Sequence, residues 1–224
     1  VAHVDPAGTL SDWGLRFADP GVDELSRIPE RWRAVATAAQ PRERREAALG
    51  LWNQGFLDLV PRFAEVLRTR LLDVRAYLAD DHPVLVYVVA SDGGGPVSWV
   101  GFDPGTFGEP PPFWDSFPEP LRVFLRDVHA GYVSSGDAGF GPLPPAQMQT
   151  LATLAGFPDG IPGWDEEAGI DSTRLVLVAS DGGLLRLCLS PDLPPGQLAL
   201  VYEGDVDPQD FGAELDQLMM SRLR

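Results

Sequence analysis

The sequence predicts an α+β fold: an antiparallel sheet with flanking helices, preceded by a helical N-terminal extension. Three observations carry this. Apolar residues recur at spacings of three to five up to Leu78, the period turns strand-like after Pro83, and the phrase Val-Ala-Ser-Asp-Gly-Gly occurs twice, at 89–94 and 178–183. The expected division is 1–83 for the extension and 84–224 for the sheet-bearing domain.

Pro29 suits the first turn of a helix running through Trp32, Val35 and Ala36, and Pro41 restarts it. From there Leu51, Phe56, Leu59, Phe63, Val66, Leu67, Leu71, Val74 and Leu78 form one broad apolar stripe, interrupted near Gly55 and Pro61. Arg42, Arg44, Arg45, Arg62, Arg68, Arg70 and Arg75 share the opposite face with Glu43, Glu46, Glu65 and Asp73, which reads as a solvated face with local ion pairs.

Val84 to Ala90 and Val97 to Phe102 then read as a hairpin around Asp92-Gly-Gly, and Leu175 to Ser180 with Leu184 to Leu189 as a second. Leu198 to Glu203 adds a further strand. Three helices accompany them. One runs from Pro120 to Gly131 with Leu121, Phe124, Leu125 and Val128 inward, and one from Pro145 to Gly156. The third starts at Asp207-Pro208 and turns Phe211, Leu215, Leu218 and Met219 inward.

Of 224 residues, 33 are acidic and 17 basic, every basic one an arginine. The imbalance is concentrated: residues 1–83 hold 11 Arg and 13 acids, residues 84–224 hold 6 Arg and 20 acids. Such a surface repels nucleic acid and anionic membrane and attracts basic proteins. The longest apolar stretch, Val84 to Ala90, is far short of the ~20 residues that span a bilayer. The opening Val-Ala-His-Val-Asp-Pro lacks the basic start and apolar core of a signal peptide, so a cytoplasmic location is expected. Cys188 stands alone and His3, His82 and His129 lack ligand spacing, so no metal or other cofactor is expected.

No nucleophile elbow, phosphate loop or zinc-protease motif occurs. The glycines of Gly136-Asp-Ala-Gly-Phe-Gly141 lack the order of a dinucleotide fingerprint and read as loop formers. Glu203, Asp205, Asp207 and Asp210 have oxygens at calcium-like spacing, but Asp207-Pro208 favours a helix cap. His129 has no sequence-adjacent acid to orient it and reads as structural, in a last helical turn. Trp164 with Asp165, Glu166 and Glu167 suits an interface anchor beside acids that meet a basic partner. With Asp137 and Asp115, these are the candidate partner-binding residues.

From Phe113 onward the order of features resembles the SUKH superfamily of bacterial immunity proteins. Phe117-Pro118 through Phe124-Leu125 to Gly131 is similar to that family's Pro-led helix, and Gly141-Pro-Leu143 with the following helix to its Gly-x-Leu stretch. The strand pair around Asp181-Gly-Gly183 and the closing strand, acidic turn and Phe211 helix are similar too. The family often has Asn-Gly where this chain has Ala130-Gly131, and residues 1–80 and the hairpin at 84–102 have no counterpart in it. The resemblance implies a non-catalytic protein that neutralises a cognate toxin, often a nuclease or deaminase and commonly basic. Its other branches imply a regulatory or scaffolding module, and an enzyme built on Asp and His is the third alternative.

Overall fold

The first half of the chain builds a helical layer and then lays a sheet against it. The computed structural model describes residues 17–18, 21–80, 82–134, 139–164 and 169–224. A short 3-10 turn at Glu30–Trp32 leads into α1 (Arg33–Thr37), α2 (Pro41–Leu49), α3 (Gln54–Leu59) and α4 (Pro61–Arg70). Pro41 and Pro61 open α2 and α4 at first-turn positions where no N–H is needed. The break expected near Gly55 falls earlier, between Gly50 and Asn53, and Gly55 sits inside α3.

The expected helix does not continue to Leu78. Leu71–Ala79 is strand β2, paired antiparallel with β3 (His82–Ala90), so the first sheet crosses the division drawn at Pro83. The misreading has a physical cause. A bulge between Leu71 and Asp73 shifts the strand's phase, so Leu71 and Val74, three apart, face the same side. Val74 and Leu78, four apart, share that side by ordinary alternation. The spacing of three and then four imitates a helix.

β1 (Phe17–Ala18), β2, β3, β4 (Pro96–Phe102) and β5 (Tyr132–Ser134) form a five-stranded antiparallel sheet in that order. Leu85, Tyr87, Val89 and Trp99 belong to the main core with Trp32, Phe56, Phe63 and Phe124 of the helical layer. Tyr77, Val84, Val86, Val88 and Val100 form a second buried cluster on the other face. Both faces are buried, which is why 84–90 reads as an unbroken apolar run rather than an alternating one.

Between β4 and β5 the chain makes α5 (Glu119–Val123), which continues as a π-helical turn at Phe124–Val128. Leu121, Phe124, Leu125 and Val128 are buried, as their spacing predicts. After β5 the segment 139–143 runs between the two sheets and is hydrogen-bonded to both. Ser134 and Tyr132 donate N–H to the Gly139 and Pro142 carbonyls at 2.9 and 2.7 Å, while Phe140 and Leu143 donate to Ser180 and Val178 at 2.7 and 2.9 Å.

This corrects the loop-forming role read for Gly139 and Gly141. A Cβ on Gly139 would lie 2.5 Å from the Ser180 carbonyl oxygen, and one on Gly141 would overlap the Tyr132 carbonyl oxygen. The glycines are there because three backbones run side by side.

The second sheet is β6 (Val176–Ser180), β7 (Arg186–Leu189), β8 (Gln197–Tyr202) and β9 (Asp205–Asp210), antiparallel and in sequence order. Both expected hairpins are present, and Val178, Leu187 and Trp99 lie in one core. The helix expected from Pro145 to Gly156 is only a 3-10 turn at Pro145–Gln147 and a single turn, α6 (Leu151–Leu154). Thr150 between them pairs with Val176 instead, which keeps the segment extended.

The last helix, α7 (Phe211–Ser221), buries Phe211, Leu215, Leu218 and Met219 as predicted, but it starts later than Asp207. Asp207 lies in β9, opposite Leu200, and Asp210 is the cap, its Oδ1 accepting from the Ala213 N–H at 2.8 Å. No described helix is long and apolar enough to cross a membrane.

Candidate functional site

Of the candidate partner-binding residues, the structure describes two. Asp137, Asp165, Glu166 and Glu167 lie outside the described residues.

Trp164 is half-buried and packs on the cluster of Leu151, Leu175, Cys188 and Val201 beneath the second sheet. Its indole N–H donates to the Ile170 carbonyl at 3.0 Å, and the Ile161 N–H donates to Ser172 Oγ at 3.1 Å, closing a loop from 161 to 172. An open cavity of about 400 Å³ is lined by Gly160, Ile161, Trp164, Ile170, Asp171 and Ser172. The ring is thus held by Ile170 and the cluster it packs on, and is half-exposed.

Asp115 follows Phe113, whose ring lies 5.1 Å below the Arg174 guanidinium. Its own carboxylate is fully exposed, 3.7 Å from Arg122. Arg174 belongs to the turn that contains Ser172, so a continuous chain of contacts runs from Phe113 to the Trp164 loop. Arg174 also grips Asp192, with Nη2 and Oδ1 2.7 Å apart. Hydrogen bonding to Arg174 holds the Asp192 carboxyl below its ordinary pKa, and hydrogen bonds from Thr173 do the same for Asp171. Arg174, the cation between Phe113 and the Trp164 loop, is thus already paired with Asp192.

No family model, curated protein or solved structure matches the chain.

A second acidic surface contains Glu203, Asp205 and Asp207, whose spacing in the sequence points to calcium or to a helix cap. The register Arg186↔Val201 places the β6–β7 turn beside the β8–β9 turn at one end of the second sheet. Leu184 and Tyr202, in or next to these turns, are each 49% exposed. Glu203, Asp205 and Asp207 beside them are exposed. Among the described residues no ion pair engages Glu203, Asp205, Asp207, Asp210 or Glu214. In the sequence Leu184 and Tyr202 read as core, because each stands at an end of an apolar strand pattern. The register places the two on adjacent hairpins at the same end of the sheet.

His129 cannot serve as a titrating catalyst. It is fully buried and follows the π-helical turn; its Nε2 is 2.8 Å from Tyr87 Oη, and Trp52 Nε1 donates to the same oxygen at 3.3 Å. Burial pushes its pKa down to about 3, only partly opposed by the Phe102 backbone. The ring is neutral, so the charge–dipole role read from its place in a last helical turn is corrected to a packing and hydrogen-bonding one. Burial likewise pushes the Cys188 thiol up, which leaves it a poor nucleophile. Among the described residues no three His, Cys, Asp or Glu side chains converge to hold a metal ion.

Proposed function

We propose that the chain is an immunity protein that binds and neutralises a basic, nucleic-acid-targeting bacterial toxin by covering it, without catalysis or cofactor. The carrying observation is the unopposed charge of the second sheet and its flanks. No arginine occurs between Arg186 and Arg222, while Glu203, Asp205, Asp207, Asp210 and Glu214 all fall in that interval. A cationic protein that grips phosphate finds in such a surface a substitute for nucleic acid. The order of motifs from Phe113 onward, which resembles the SUKH superfamily, supports the same reading. On this reading the chain acts in the cytoplasm of the cell that makes the toxin.

A scaffolding role in the same superfamily is the second reading, favoured by one feature. A groove of about 330 Å³ between α2, α3 and α4 is lined by the half-buried Leu49 and Leu57, with the buried Leu67 beneath them.

The deciding experiment adds purified chain to the toxin encoded beside its gene and follows nuclease or deaminase activity. Complete loss of activity at one-to-one stoichiometry is the expected result. Undiminished toxin activity at a large excess of the chain would sink the proposal.

A further inference from the structure

We infer that the paired hairpin tips at one end of the second sheet, centred on Leu184 and Tyr202, are where a cationic protein docks; the inference rests on the immunity reading and names its contact surface. Two apolar side chains half-exposed on adjacent tight turns have no folding reason to be there, since turn positions accept polar residues freely. The tips are also held in shape. Asp181 Oδ1 accepts from the Gly183 and Leu185 N–H groups at 2.7 and 3.2 Å, fixing the first turn. In the second, Tyr202 pairs with Asp205 across Glu203 and Gly204, both at positive φ (51° and 100°). An apolar pair on rigid turns loses little conformational freedom when it is covered.

The charge around the pair selects the occupant. Asp181 lies in the first turn and Glu203 in the second, Asp205 and Asp207 stand opposite Tyr202 and Leu200 in β9, and Arg186 is the nearest cation in sequence on these strands. A purely apolar partner would strip water from these carboxylates with nothing in return. An anionic membrane or a nucleic acid would meet like charge. The complementary surface is a protein face with an apolar recess ringed by Lys and Arg: the aromatic-anchor and polar-rim pattern seen from the other side. Trp164, which spends its indole N–H on Ile170, is the lesser anchor.

The test uses 15N-labelled chain titrated with a cationic amphipathic peptide of alternating Arg and Leu, and with a charge-matched Arg/Ser peptide. The Arg/Leu peptide is expected to shift the amides of 181–185 and 201–206 most. The double variant Leu184→Ser/Tyr202→Ser should weaken its binding about tenfold, with unchanged circular dichroism and melting temperature because both residues are on the surface. The Arg/Ser peptide should bind weakly and equally to both forms. Shifts centred on the Trp164 loop or on the α2–α4 groove would overturn the inference, as would equal affinity of the two forms for the Arg/Leu peptide. Failure here is separable from failure of the immunity reading. A toxin inhibited equally by wild type and double variant would remove the tips and keep the reading; tip shifts with an uninhibited toxin would do the reverse.

Discussion

Asp216 Oδ1 accepts a hydrogen bond from the backbone N–H of Phe63 at 2.9 Å, across 153 residues of sequence. Its Oδ2 takes the N–H and the Nε of Arg62 at 3.2 and 2.8 Å. Asp216 thus caps α4 from α7, where α4's own preceding residue, Val60, has no side-chain acceptor to offer. This is how the helical layer and the chain's last element become one structure. Asp216→Ala strands two helix-start N–H groups in a buried place, and a loss of about 2–3 kcal/mol is expected by urea denaturation. A loss below about 0.5 kcal/mol would mean that water reaches those donors.

The start of α7 gives a paired prediction. Asp210 makes the cap, while Asp207 sits in an edge strand and, among the described residues, accepts from the Gln209 side chain at 2.7 Å. Asp210→Ala should cost about 1 kcal/mol and Asp207→Ala close to nothing in thermal denaturation. Equal effects would show that the edge-strand carboxylates act through their summed charge.

His129 and Asp73 contribute to the pH dependence of stability in successive windows. His129 has a folded-state pKa of about 3, against ~6.5 in an unfolded chain. The unfolded chain therefore takes up a proton below about pH 6.5 that the folded chain refuses, and this contribution weakens by about 1.4 kcal/mol per unit as the pH falls toward 3. Asp73 follows at lower pH. Burial alone would raise its pKa, but hydrogen bonds and charge from Arg44 and Arg75 outweigh that and hold it below the carboxylate range. Its contribution is complete above the ordinary aspartate pKa and disappears as the pH falls through the lowered folded value. Melting curves between pH 7 and 4 should show a steep loss in wild type and a shallower one in His129→Gln. Parallel slopes would assign the acid sensitivity to the carboxylates alone.

How much of this was legible follows from where local pattern and tertiary demand agree. Leu121, Phe124, Leu125 and Val128 announced a buried helical face because nothing but helix packing acts on them. The two Asp-Gly-Gly hairpins were readable because a tight turn is a local object. Leu71 to Ala79 was not, since a bulge gave a strand the spacing of a helix. Gly139 and Gly141 looked like loop residues because the backbones they must approach, at Ser180 and Tyr132, are fixed only in three dimensions. The candidate site divided in the same way. Asp115 and Trp164 are singled out by residue type, whereas the placing of Leu184 and Tyr202 at one end of the second sheet depends on the β7–β8 register, which no local spacing encodes.

Gly101 and His129 provide a test of how tightly the core is built around the buried histidine. A Cβ at Gly101 would lie 2.5 Å from Cε1 and Nδ1 of the His129 ring. The ring cannot retreat easily: it stacks on Tyr132 at 5.8 Å, is met edge-on by Tyr87 at 5.5 Å and has Trp32 at 5.6 Å. Gly101→Ala should therefore cost about 2–3 kcal/mol through overpacking. In a His129→Ala background the same change meets open space. There it should be neutral or stabilising by up to about 1 kcal/mol, since glycine inside a strand is itself unfavourable. The expected double-mutant cycle is strongly non-additive, with a coupling of about 2 kcal/mol or more in the sense that each change relieves the other. Additive costs would instead mean that β4 shifts bodily to admit the methyl group, and that the Gly101–His129 contact is not what selects glycine there.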